Sequence, residues 1–101
     1  MKRKGERKRE KIKEIKRKIE EGEEEKAYEK FYYYWEKNKT NVRGIIDMIK
    51  IVYNEKKGET NKINRMGIEL LEQYNALNII EATYTLAQIL LLKTRKKKKK
   101  K

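Results

Sequence analysis

The sequence contains no cysteine, histidine, proline or serine. Without cysteine no disulfide forms, and the redox compartment cannot be read from thiols. Without histidine or cysteine there is no imidazole or thiolate metal site. Serine and cysteine nucleophiles and any histidine general base are excluded. Glycine is sparse: Gly5, Gly22, Gly44, Gly58 and Gly67 stand alone, so no glycine-rich phosphate loop exists. These absences point away from an enzyme, and no cofactor is implied. Apolar residues are few, at 37% of 101, while charged residues reach 45%. A chain of this length forms at most one domain with a modest core, and part of it falls outside that core.

What is abundant is positive charge, unevenly placed. The net charge is +13. Residues 1–19 hold 11 cations and 3 anions, and residues 93–101 hold 8 cations and no anion. Between them lie an acidic knot, "EEGEEE" at 20–25, and a body, 26–92, that is close to neutral. Like-charge blocks repel internally until a polyanion neutralises them. The predicted organisation is a charged helical arm over 1–26, a helical body over 27–92 and a lysine-rich tail over 93–101.

Helical periodicity runs through most of the chain. Residues 6–26 predict a charged helix with one thin apolar stripe, Ile12, Ile15 and Ile19, enough to lie along a partner or against the edge of the body. Within it Glu14 can pair with Arg17 and Lys18. Gly22 is the expected break. Residues 26–37 hold six of the nine aromatics. Tyr28, Phe31, Tyr32 and Trp35 follow one helical face and read as core, while Tyr33 and Tyr34 point elsewhere. Thr40 or Asn41 is placed to cap the next helix, whose stripe is Val42, Ile45, Ile46, Ile49, Val52 and Tyr53. A loop at 55–60 precedes a helix capped by Thr60 or Asn61, with Ile63, Met66, Leu70, Leu71 and Tyr74 inward. The stripe slips near Asn75, so a kink or short turn is expected there. Residues 76–92 predict a deeply packed amphipathic helix. The fold class is all-α, a small bundle of three or four helices with basic N- and C-terminal extensions.

Candidate binding residues follow from the charge layout. Lys2, Arg3, Lys4, Arg7, Lys8, Arg9 and Lys11 in the first arm are candidates for phosphate contact. So are Lys93, Arg95, Lys96, Lys97, Lys98, Lys99, Lys100 and Lys101 in the tail. Each phosphate neutralised releases counterions. Tyr33 and Tyr34 are candidates for stacking on splayed bases. The acidic knot lacks the spacing of a calcium loop and suits pairing with a basic arm of this chain or of a neighbour, or capping a helix start. Residues 42–54 and 61–74 also admit a helix-turn-helix, with Lys62, Asn64, Arg65 and Glu69 outward, although the loop is long for that motif.

The first reading is a non-enzymatic structural protein of a ribonucleoprotein assembly such as a ribosome. Its partners would be nucleic acid, RNA favoured over DNA, and neighbouring proteins. The second is a small virus- or plasmid-type DNA-binding regulator. The third, a membrane protein anchored by 76–92, is weakened by Asn78, Glu81, Thr85 and Gln88 along one stripe. The basic start is not followed by an apolar stretch of the signal-peptide kind. The dominance of Lys, Glu, Ile, Tyr, Asn and Leu suits an AT-rich gene and allows an organellar setting.

Overall fold

The computed structural model describes residues 4–58 and 61–99. Five helices occur among them: α1 (Lys4–Glu20), α2 (Glu24–Lys37), α3 (Val42–Val52), α4 (Lys62–Ala76) and α5 (Ile80–Lys99). The all-α class holds, with more helices than the three or four expected. The helix expected as a charged arm, α1, joins the bundle. Its thin stripe suffices for docking, because Ile12 and Ile15 are both buried in the common core. The kink or short turn expected near Asn75 is a complete break between α4 and α5. There Asn78 adopts a positive φ of 64°, a left-handed conformation that asparagine tolerates better than most residues. The chain thus turns fully over 77–79, three residues after the slip in the stripe at Asn75.

Helix α3 is central and packs on α1, α4 and α5, while α2 packs on α1 and α4. Short turns at 21–23 and 77–79 make two helical hairpins, α1–α2 and α4–α5. The first turn uses Gly22 at φ 83°. A Cβ at that position would meet nothing within 4 Å, so glycine is favoured there by the backbone angle and not by crowding. The α3 stripe emerges as read: Ile45, Ile46, Ile49 and Val52 are buried, joined by Met48. On α4, Ile63, Leu70, Leu71 and Tyr74 are buried. Gly67 faces α3, and a Cβ there would sit 3.0 Å from Ile49 Cγ2, so its small size permits close approach of the two helices.

Both caps are asparagines. The Asn41 side chain accepts from Gly44 N–H at 3.2 Å. That of Asn61 accepts from the N–H groups of Ile63 and Asn64, at 2.7 and 3.2 Å. Each satisfies amides that the first helical turn leaves open. Thr60 lies outside the described residues. Asn64 departs from its expected outward position: it is 1% exposed. Its Nδ2 donates to the carbonyls of Asn54 and Gly58, both at 2.7 Å, and its Oδ1 accepts from Asn54 N–H at 2.9 Å. The α3–α4 loop folds back over this side chain and removes it from any groove-reading face.

Helix α5 is not deeply packed. Of residues 80–92, only Ala82, Thr85 and Ile89 are buried, with Glu81, Leu86 and Leu92 half-buried. The Thr85 hydroxyl is satisfied by the Glu81 carbonyl at 2.8 Å. Among the described residues no helix is long and apolar enough to cross a membrane.

Candidate nucleic-acid interface

Helix α2 carries aromatic side chains on every side, and its neighbours decide which are covered. The buried stripe is Ala27, Phe31 and Tyr34. It is rotated relative to the stripe read from the sequence because α1 closes on this side. Tyr34 is therefore 3% exposed, and its ring is not available for base stacking, contrary to the expectation. Burial raises its phenol pKa, with the Asp47 carboxylate acting in the same direction. Tyr33 lies in the open, 57% exposed.

Tyr33 does not stand alone. The Nζ of Lys11, from α1, lies 6.0 Å from its ring centroid, and the Nζ of Lys37 lies 5.5 Å from it. Both are within cation–π range. A cavity of about 390 Å³ opens beside the ring, lined by Lys11, Glu14, Ile15, Glu29, Lys30 and Tyr33 among others. Two positions singled out from the sequence, Lys11 and Tyr33, thus meet at the α1–α2 seam.

Docking of α1 creates that seam, and ion pairs align it. Glu14 reaches across to Lys30 Nζ at 2.8 Å, while the charges of Arg17 and Lys18 act on it at longer range. The Lys30 hydrogen bond, with the charge of that lysine, lowers the Glu14 pKa. Lys18 Nζ lies 2.8 Å from Glu23, which raises the lysine pKa and lowers that of the glutamate. Glu21 also pairs with the arm, through Arg17 and Lys18, as anticipated, whereas Glu24 and Glu25 pair with Lys57 and Lys62 of the body. The knot therefore neutralises cations near the turn. Further along α1, Arg9, Lys11, Lys13, Lys16 and Arg17 are exposed.

A second aromatic surface was assigned to the core in the sequence reading and is in fact partly open. Tyr28, Tyr32 and Trp35 line a groove of about 600 Å³ between α2 and α4, opposite Lys62, Arg65 and Gln73. Tyr32 is 42% exposed. Its ring is tilted against Tyr28 at 6.4 Å and against Trp35 at 5.6 Å. Lys62 lies 5.7 Å from the Tyr28 centroid and Lys39 lies 4.7 Å from that of Trp35. The hydroxyl of Tyr32 is engaged by Glu36, which raises its pKa. Six aromatics within 26–37 exceed what one helical face can bury, and that excess was the available signal.

Of the remaining predicted contacts, Lys4, Arg7, Lys8 and Arg9 belong to α1, and Lys93, Arg95, Lys96, Lys97, Lys98 and Lys99 to the last turns of α5. Lys2, Arg3, Lys100 and Lys101 lie outside the described residues. No protein-family model matches the chain, and neither a curated protein nor a solved structure matches it. Fold and surface define a class on their own terms: a small, basic, all-helical protein with exposed aromatic–lysine pairs.

Proposed function

We propose that this protein is a non-enzymatic structural component of a ribonucleoprotein assembly, of the kind found in ribosomes, and binds RNA chiefly through phosphate contacts. The observation that carries the reading is Tyr33, exposed and flanked by Lys11 and Lys37 at the seam where the basic helix α1 packs. An aromatic face beside cations suits an unpaired base and its phosphates. The arginines and lysines of residues 2–11 and 93–101 position the backbone without reading sequence. The α2–α4 groove offers a second surface of the same character. Arg65 and Lys62 of α4 face this groove, which favours single strands over insertion of α4 into duplex DNA.

The test is binding of the full chain to single-stranded RNA and to duplex DNA across a salt series. Tyr33→Ala is expected to weaken RNA binding about fivefold or more, since stacking one base contributes about 1 kcal/mol or more. Deleting residues 93–101 is expected to flatten the dependence of affinity on salt. A full chain that ignores every polynucleotide in dilute buffer would overturn the reading. Sequence-selective duplex binding lost with Arg65→Ala would replace it with a DNA-binding regulator.

A further inference from the structure

Helix α5 is apolar on two opposite sides. Its inward side is Ala82, Thr85 and Ile89, all buried. Its outward side presents Ile80 at 78% exposure, Tyr84 at 63% and Leu91 at 55%, with Ala87 also exposed between them. The steps from 80 to 84, 87 and 91 alternate four and three residues, the seam spacing of paired helices. A surface helix would ordinarily be polar there. Across 80–92 the single charged residue is Glu81, and Arg43 of α3 holds it at 3.0 Å.

We propose that α5 is a homodimer interface, in which two copies of this chain pair through Ile80, Tyr84, Ala87 and Leu91 running in opposite directions. The direction follows from size and charge. Reversed, Ile80 meets Leu91 of the second copy, and Tyr84 meets Ala87, so a large side chain faces a small one in the central layers. In the same direction Tyr84 would face Tyr84 and Ala87 would face Ala87, overfilling one layer and emptying the next. Pairing in one direction would also lay the eight cations of residues 93–101 beside their copies. Reversal places them beyond opposite ends of the 80–92 seam, which is about 20 Å long and so about two Debye lengths at physiological salt.

The area agrees with a second copy as the occupant. With Leu77, 70% exposed in the preceding turn, the seam presents on the order of 600 Å² of apolar side chain per chain, at the upper end of what monomers leave uncovered. Two such faces total about 1,200 Å² before contact, so even complete coverage would only reach the lower bound of specific interfaces and places the pair among weak, transient dimers. The dimer is therefore expected to be weak and dependent on concentration. It goes beyond the RNA-binding reading and does not require it.

Sedimentation equilibrium of the full chain, freed of nucleic acid by nuclease and high salt, tests the proposal. The apparent mass is expected to rise from 12.3 kDa towards twice that as concentration increases. Ala87→Glu, at an exposed helical position, is expected to hold the mass at the monomer value with an unchanged circular dichroism spectrum. Leu91→Lys is expected to do the same and serves if the first variant loses helix. Since the chain has no cysteine, direction can be read by mixing Tyr84→Cys chains with Ala87→Cys chains under mild oxidation. Mixed disulfides are expected to exceed self-disulfides. A monomer at every concentration, a dimer indifferent to both seam variants, or a predominance of self-disulfides would each overturn the proposal. So would a monomer that pellets with anionic lipid vesicles through this face.

Discussion

At Asn64 one amide closes the α3–α4 loop by bonding three backbone groups of residues 54 and 58. Alanine there would remove the partner of two carbonyls and an N–H in a half-buried loop, which costs about 1–2 kcal/mol. Asn64→Ala is accordingly expected to lower the urea midpoint without changing the helical content of the native state. Asn64→Asp is expected to cost more at neutral pH, because a carboxylate would face two carbonyl oxygens, and to recover part of the loss in acid, where the protonated group donates once. A loss from Asn64→Asp no larger than that from alanine, by urea titration at both pH values, would contradict this account. The same residue shows where periodicity stops being informative. A helical wheel places Asn64 on the polar arc, and nothing in the wheel reports that the preceding loop curls back over it. Tyr34 failed for a related reason. Its burial depends on α1 arriving from outside the helix, and α1 added a contact that rotates the buried stripe.

Among the elements, α1 is the one whose attachment can be dissected. Its apolar contribution is small, chiefly Ile12 and Ile15, and two ion pairs to the turn and α2 set its alignment. Glu14 and Glu23 both have pKa values below the ordinary 4.5. Groups lowered in this way contribute stability above 4.5 that disappears as pH falls through their folded values. Lys18 is raised above 10.5, so its contribution is present below that pH and is lost only in strong alkali. These carboxylates are half-buried at the α1–α2 seam, and the effect is confined to the attachment of α1. Hydrogen exchange, corrected for intrinsic rates, is expected to show α1 losing protection before α3 as pH drops from about 6 to about 3. Equal loss in the two helices would show that the ion pairs do not control docking. Gly22→Ala acts on the same attachment through the backbone: forcing a Cβ onto φ 83° costs about 1 kcal/mol. That cost should appear as a matching fall in unfolding free energy. The helices themselves were legible in the sequence, since α3 and α4 have clear apolar stripes and asparagine caps. The thickness of the stripe on α5 misled. A largely apolar circumference reads as deep burial, yet only one side of α5 has neighbours within the chain.

For the molecule as a whole, charge pulls in two directions that salt can separate. A chain at +13 repels itself, and most of that repulsion comes from residues 1–19 and 93–101. Compactness gains when such repulsion is screened, whereas phosphate binding weakens as counterion release becomes less favourable. Raising sodium chloride from about 50 mM to about 300 mM shortens the screening length from about 14 Å to about 6 Å, enough to mute charges farther apart than that. The melting temperature of the free protein is therefore expected to rise over this range while its affinity for single-stranded RNA falls. Removal of residues 93–101 is expected to shrink both slopes together, because the same cations supply both. A melting temperature that falls with salt would mean that the ion pairs of the acidic knot outweigh the repulsion between the basic blocks. An RNA affinity that stays flat while the melting temperature rises would separate folding from binding and deny the basic residues their phosphate-contacting role. Reading the two slopes in one titration makes the division of charge along the sequence a measurable property of the folded protein.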